Sequence, residues 1–412
     1  MGRVADRSLA GKGRLSYEWA REHMPEVVRL AEKHRAASPL KGLRIGVCLH
    51  VTKETSVLVS SLMELGARVF VAPANPLSTQ DDIAAFLESI GAEVWAWRGQ
   101  TAEEYYESIR QVLLANPDLQ VDDGADAHVM AHRENIGVSI RGGTEETTTG
   151  VIRLKALERE GALRYPIIAV NNAQTKYFFD NRYGTGQSAL DGIIRATGLL
   201  LAGKKVVVAG YGWVGKGVAM RARGMGAHVI VTEVDPVRAL EAHMDGYSVM
   251  PMERAVEQGD LFITCTGQTR VIRGEHIMKM KNGAILSNAG HFDVEVDVRF
   301  LETNMLRRDE VRPNLDRYIL KDGRTIYLVG RGRVANLVAA EGHPPEVMSM
   351  SFANQLLALL YLARNMGRLE KRLLDVPREI DEEVARAALE AKGITIDTLT
   401  PEQVQYAQSW VV

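Results

Sequence analysis

The segment KKVVVAGYGWVGKG, residues 204–217, runs from an apolar, strand-like stretch through closely spaced glycines into a helix-forming stretch. Gly210, Gly212 and Gly215 make G-x-G-x-x-G between a strand and a helix predicted over 213–224, and the next strand, AHVIVTE, ends on Glu233. In that context each glycine has its own duty. Gly210 allows a tight turn, Gly212 lets backbone approach a pyrophosphate, and Gly215 lets helix pack closely on strand. The helix N-terminus at Trp213 and Val214 presents aligned N–H donors to the phosphates. Glu233 is placed to accept from both hydroxyls of an adenosine ribose, and its charge repels a 2′-phosphate, so the cofactor expected is NAD rather than NADP. The same residues satisfy the G-x-x-x-x-G-K of nucleoside triphosphatases, but Gly217 stands where a magnesium-binding Ser or Thr is required.

On the C-terminal side the alternation continues through helix 236–243, GYSVM, helix 252–258, DLFITCTG, helix 274–280 and GAILSNAG. On the N-terminal side lies a separate series: LRIGVCLH (43–50), helix 54–65, ARVFVAP, helix 80–90, AEVWAWRG, helix 102–115, LQVDDGAD, GVSIRGGTEE, helix 150–159 and YPIIAVNN. Short apolar strands alternating with helices predict parallel sheets covered on both faces. The fold class expected is therefore α/β, with two Rossmann-like, doubly wound domains around a hinged cleft. Residues 1–172 form the first domain and 185–340 the dinucleotide domain; a helix over roughly 349–365 carries the chain back, so 345–375 rejoins the first. The charged, helical stretch 376–412 reads as an arm docking on a neighbouring subunit. Residues 17–35 place Trp19, Met24, Val27, Val28 and Leu30 at helical spacing and predict one amphipathic helix.

Bulk composition narrows the function. With 412 residues, 46% apolar and 25% charged, the chain has the composition of a globular protein with ample core. Fifty basic against fifty-two acidic residues leave a net charge of −2, so no broad field exists to hold nucleic acid or an anionic membrane. The two cysteines, Cys48 and Cys265, are too few for a disulfide framework. The N-terminus lacks a signal-peptide core and no uninterrupted apolar run reaches eighteen residues, so a cytoplasmic location is expected. No Cys/His spacing predicts a metal site. Seven arginines between 300 and 333 are interspersed with acids and read as a solvated face.

The segments DDGAD (122–126), GTEETTTG (143–150), NNAQTKYFFDNRYG (171–184), GYGWVGKG (210–217), NAGHFDVEVD (288–297) and EGHPPEVMS (341–349), with the opening CLHVTKET (48–55), together closely resemble S-adenosylhomocysteine hydrolase, in collinear order from about Tyr17 to Tyr406. The resemblance implies permanently held NAD, reversible cleavage of S-adenosylhomocysteine into adenosine and homocysteine, and usually a homotetramer. Three departures are visible. Thr185 stands where many members have Cys, Trp213 where Asp is common, and the chain stops at Val412 without the tail that in many members reaches a neighbour's NAD. These features resemble the shorter archaeal and thermophilic bacterial branch, in which some members prefer the inosyl substrate.

The chemistry so implied explains the residue types. A 5′ thioether is a poor leaving group and the C4′ hydrogen too weakly acidic to remove, unless the 3′ hydroxyl is first oxidised to a ketone; NAD takes the electrons and later returns them. Lys176, its pKa depressed by burial, is then expected as base at the 3′ hydroxyl, oriented by Asp180, with Asn181 positioning the nicotinamide or the reacting oxygen. A plain i,i+4 ion pair is the alternative for Lys176 and Asp180. Asp123 is assigned the C4′ or sulfur-side proton by its place in the motif, Asp122 or a turn-capping pair being the alternatives. Glu146 suits the ribose hydroxyls, and Thr147, Thr148 and Thr149 the nicotinamide amide and phosphate, although the same run reads as a helix cap. His50 and His291 follow strands where open sheets bind ligands and suit proton relay. His343, Met348 and Phe352 are implied at the purine, Thr52 and Glu54 at its edge, and Thr266, Asn288, Asn336 and His343 on NAD. A net NAD-dependent dehydrogenase and a silent NAD-binding regulator are the rivals.

Overall fold

The computed structural model describes residues 2–410. Seven strands open the chain: β1 (Arg3–Val4), β2 (Arg44–Leu49), β3 (Arg68–Pro73), β4 (Glu93–Ala96), β5 (Leu119–Asp122), β6 (Gly142–Glu145) and β7 (Ile167–Ala169). Eight follow: β8 (Lys205–Ala209), β9 (His228–Thr232), β10 (Ser248–Val249), β11 (Leu261–Thr264), β12 (Ala284–Asn288), β13 (Met305–Arg312), β14 (Leu315–Leu320) and β15 (Thr325–Val329), and then β16 (Leu373–Asp375). They form two eight-stranded sheets, ordered β1-β4-β3-β2-β5-β6-β7-β16 and β10-β9-β8-β11-β12-β15-β14-β13. The first is parallel throughout. In the second, β14 runs antiparallel to both β13 and β15. Strand order reverses between β2 and β5 in one sheet and between β8 and β11 in the other, which opens a crevice beyond the strands' carboxyl ends at each point.

The strands are apolar because helices cover both faces. Val47, Leu49, Val71 and Val121 belong to one core, and Val206, Val208, Val231 and Ile263 to another. The returning helix, Pro345–Arg364, is long and apolar enough by composition to cross a membrane, yet its Phe352, Leu356 and Leu359 are buried in the first domain's core. The parallel strand β16 then joins that sheet beside β7. Of the arm expected over 376–412, the helix Arg378–Ala391 packs Ile380, Val384 and Ala388 into the same core, whereas the helix Pro401–Gln408 buries no residue.

Local differences from the sequence reading have physical causes. The single helix expected over 17–35 is two, Ala10–Glu22 and Pro25–Arg35. Pro25 cannot donate within a helix interior and starts the second one instead. Trp19 lies outside the core, stacked on His23 with ring centroids 4.1 Å apart. The helix Asp126–Glu134 was not expected, because the buried polar His128 interrupts its apolar face. The hairpin β13–β14 was read only as charged surface. Its arginines are paired, Arg317 with Asp309 at 2.7 Å and Arg308 with Asp316 at 3.0 Å.

Candidate active site

A cavity of about 800 Å³, open volume included, is walled by both domains: His50, Thr52, Glu54, Asp123, Glu146, Lys176, Asp180 and Asn181 on one side, Val214, Ala289, His291 and Asn336 on the other, with His343, Met348 and Phe352 at the chain's return. Thr147, Asn181, Val214, Ala289 and His291 also wall a larger groove of about 1930 Å³ that holds Thr148, Thr149, Gly210, Gly212, Trp213, Glu233 and Thr266. The two spaces therefore meet at Asn181.

Asp122 and Asp123 have separate fates. Asp122 is fully buried and accepts the His128 N–H at 2.8 Å, capping the helix Asp126–Glu134. Asp123 faces the cavity, where a turn through two successive left-handed residues, Gly124 (φ 100°) and Ala125 (φ 65°), aims it. Its carboxylate lies 3.6 Å from His50 Nε2 and 3.8 Å from His291 Nδ1. A Cβ on Gly124 would come within 2.5 Å of His291 Nε2, so this approach of the second domain needs glycine. His50 Nδ1 is fixed on Ser78 Oγ at 2.7 Å, and burial, only partly opposed by Asp123, pushes its pKa down to about 4. His50 is thus neutral at physiological pH. The ligand atoms of His50, Asp123 and His291 lie within 4.8 Å of one another, as do those of Asp122, His128 and Glu145. The first cluster joins segments far apart in sequence, which is why no spacing rule could show it.

Glu145 and Glu146 divide in the same way. Glu145 accepts from Gly124 N at 2.8 Å and Thr147 N at 2.9 Å, ahead of the helix Thr148–Arg159, whose N-cap residue Thr147 makes no side-chain cap bond, so the helix cap expected of the TEETTT run does not form. Glu146 turns into the cavity, accepting from Gln355 Nε2 at 2.5 Å and from the Ser351 hydroxyl. Burial, opposed by Lys176, pushes its pKa up to about 7. Ser351 and Gln355 went unnoticed in the sequence; their signal was polar positions four apart, with Ser349 and Asn354 beside them, in a helix whose following turns are apolar.

Lys176 sits on the short helix Gln174–Tyr177, and Asp180 and Asn181 on the π-helical turn Asp180–Thr185 that follows. Lys176 Nζ is 3.0 Å from Asp180 Oδ2, 3.1 Å from Asn181 Oδ1 and 3.9 Å from Glu146. Burial draws its pKa down, but Asp180 and Glu146 raise it more, and the net direction is up. This corrects the expectation of a depressed pKa: at rest Lys176 is an ammonium. Burial alone would lift Asp180, but His343 and Lys176 hold it below the ordinary carboxylate range. His343 Nδ1 bonds Asp180, and its Nε2 lies 3.0 Å from Thr185 Oγ1. Thr185 thus occupies the imidazole's second nitrogen.

The dinucleotide loop fits its group. A Cβ at Gly215 would lie 1.9 Å from Gly210 O, so helix and strand meet there only through glycine, while a Cβ at Gly212 would meet nothing nearer than Arg238 Nη1 at 3.8 Å, leaving the loop open to a ligand. Glu233 accepts from Tyr211 N at 2.6 Å and Val234 N at 2.7 Å, which pins it at the groove. Thr266 is held by Glu295 at 2.7 Å. Asn288 reaches neither space; it spends its amide on Gly290, Phe292 and Gly332 carbonyls and so shapes the His291 turn. Asn336 walls the smaller cavity rather than the groove.

Residues 2–138 match the sequence profile of S-adenosyl-L-homocysteine hydrolase, and residues 181–342 that of the same family's NAD binding domain. Adenosylhomocysteinase of Aeropyrum pernix is 59% identical over 99% of both chains. The S-inosyl-L-homocysteine hydrolase of Methanocaldococcus jannaschii is 54% identical over 100% of this chain and 99% of its own. The chain belongs to the S-adenosyl-L-homocysteine hydrolase family. It is an enzyme of that family, and NAD is its cofactor. A dipicolinate synthase of Bacillus halodurans shares the fold alone, with a TM-score of 0.51 at 14% identity over 78% of this chain and 99% of its own. As a member of the hydrolase family, the chain has every expected site residue except Gly215 and Asn288 on the wall of one space or the other.

Proposed function

We propose that the chain hydrolyses S-adenosyl-L-homocysteine reversibly to adenosine and L-homocysteine, keeping its NAD through the turnover. One observation carries this reading: a cavity walled by Thr52, Glu54, Asp123 and Glu146 as well as apolar side chains meets a dinucleotide groove at Asn181, beside the buried Lys176–Asp180 pair. When bound, the dinucleotide supplies reversible oxidation at the ribose 3′ carbon, which acidifies C4′. Having passed a proton to Glu146, Lys176 takes the 3′ hydroxyl's proton as that carbon is oxidised and donates it back to the 3′ oxygen on reduction. It exchanges protons with Glu146, whose pKa of about 7 suits it to accept one near neutral pH. Asp180 and Asn181 hold Nζ in place. Asp123 takes the C4′ proton and relays it through His50 and His291, 3.6 and 3.8 Å from its carboxylate, to the departing sulfur; the same groups take a proton from the entering water and return one to C4′. Thr52, Glu54, Met348 and Phe352 hold the purine, and Glu233 with Thr147, Thr148, Thr149, Val214 and Thr266 holds the dinucleotide. Closure of the two domains keeps water from the ketone until it is needed.

Release of free thiol from S-adenosylhomocysteine, with no net build-up of reduced dinucleotide, is the expected result. Net reduction would favour the plain dehydrogenase instead, and a purified protein that neither holds nor binds NAD would overturn both. A second reading is S-inosyl-L-homocysteine hydrolysis. Burial raises the Glu54 pKa, Lys53 opposing it, so Glu54 is drawn toward the protonated form that donates to a 6-oxo group as well as the anion that accepts from a 6-amino group. Thiol release assayed with each nucleosyl-homocysteine separates them. We also propose a cytoplasmic homotetramer. The cysteines are unpaired, and the exposed Val404, Tyr406 and Trp410 of the C-terminal segment suit a subunit contact. Sedimentation of a chain ending at Gly393 should then show a smaller assembly.

A further inference from the structure

Trp213 opens the helix Trp213–Gly224 and walls the dinucleotide groove, and its ring also packs against the residues that directly follow Lys176. Its centroid is 5.3 Å from that of Tyr177, tilted 34°, and 4.8 Å from that of Phe178, edge-on at 86°. Tyr177 and Phe178 also contact each other, at 4.7 Å. Lys216 Nζ lies 4.6 Å over the indole and is itself tied to Glu241 at 2.6 Å. Beneath the aromatics the backbones touch. A Cβ on Gly217 would fall 1.8 Å from Arg182 O, so this helix and the turn Asp180–Thr185 can meet only through glycine. Arg221, one turn further along, lies over the Tyr183 ring at 5.8 Å.

The loop that receives the pyrophosphate and the segment that carries Lys176, Asp180 and Asn181 are therefore one packed unit. Neither can shift without disturbing the Trp213 cluster. Three rings packed edge-to-face and tilted, with a cation over one of them, make a discrete latch rather than a soft contact. Trp is the bulkiest residue available at a position that requires only a helix start, so the ring answers to something other than the turn.

We propose that Trp213 is a positioning residue: through Tyr177 and Phe178 it ties occupancy of the dinucleotide loop to the placement of Lys176 against Asp180 and Asn181, and so both slows dinucleotide release and sets the proton-handling end of the cavity. The proposal rests on the reaction assigned above and adds to it a coupling between the two spaces.

Phe178 gives the sharpest test, because it walls neither the groove nor the cavity. Exchange of resident NAD for 1,N6-etheno-NAD is followed by fluorescence in the intact wild-type enzyme and in Trp213→Ala, Trp213→Phe, Phe178→Ala and the double alanine variant. Trp213→Ala and Phe178→Ala should each speed exchange about tenfold, the double variant little more than either, and Trp213→Phe should stay near wild type. In parallel, kcat for thiol release should fall in the two single alanine variants with KM for the nucleosyl-homocysteine unchanged within about twofold, and return with Trp213→Phe. Wild-type exchange in Phe178→Ala overturns the coupling, even if Trp213→Ala exchanges fast. So does faster exchange with an unaltered kcat. Should Trp213→Ala fail to fold, Phe178→Ala and Trp213→Phe still decide the matter. Exchange is read without turnover, so a wild-type enzyme that released no thiol would sink the assigned reaction and leave the exchange result standing.

Discussion

The two ends of the cavity are built on opposite electrostatic plans. Around Lys176, charges of opposite sign are locked together: Asp180 bonds both Lys176 and His343, and Glu146 stands 3.9 Å away. Around Asp123 nothing is locked, for the carboxylate lies 3.6 and 3.8 Å from two imidazoles, beyond hydrogen-bond reach, and His50 is driven neutral by burial. A fixed ion cluster keeps a donor aimed at one oxygen; a loose cluster without close ion pairs lets a proton move among carboxylate, sulfur and water. The contrast separates orienting a hydroxyl from shuttling protons at a leaving group, and substitutions at each end should fail differently.

The largest effect is expected from Lys176→Ala. Thiol release should fall about 10²–10⁴-fold, and the melting temperature should fall too, because the buried Asp180 loses a partner. Asp123→Asn should lower thiol release by about 10²-fold with little change in melting temperature, since its carboxylate holds no close partner. A Lys176→Ala protein as stable as wild type, or an Asp123→Asn protein much less stable, would erase the distinction; thermal melts beside thiol titration decide it. Thr185→Val should cost under about tenfold in rate, because the Asp180 bond still orients His343. A larger loss would show that the Thr185 hydroxyl matters beyond holding the ring.

The division of labour was only partly legible in the sequence. Sheet-forming runs, the glycine loop and Glu233 were readable because a strand, a turn and a helix N-terminus each demand particular residues locally. Which of Asp122 and Asp123, or of Glu145 and Glu146, enters the cavity was not a matter of local pattern. The register of β5 against β6 puts Asp122 beside Glu145, both fully buried, and leaves Asp123 and Glu146 to line the cavity. Lys176 was found by its motif, but its charge was misjudged, because burial is visible in an apolar setting and the counter-charges from Asp180 and Glu146 exist only once the chain has folded. The antiparallel hairpin was lost for the reverse reason: an edge strand that guards itself with charge does not look like a strand.

The smallest expected effect tests the two plans by their sign. Glu146 has a folded pKa of about 7, above its unfolded value of 4.5, so the folded state holds the extra proton between those values and this residue's contribution to stability falls as pH rises through that window. His50 has a folded pKa of about 4, below its unfolded 6.5, so the unfolded state holds the extra proton and stability rises with pH over that range, being lost on acidification. In the wild-type protein these slopes oppose each other across much of the interval from pH 4.5 to 6.5. Removing one exposes the other. Urea unfolding at pH 5 and pH 6.5 should show Glu146→Gln gaining stability with pH relative to wild type and His50→Gln losing it, each by about 1–3 kcal/mol. Shifts of the same sign in both variants would mean that the two ends share one electrostatic regime, and that the contrast between a locked and a mobile cluster is not built into the cavity.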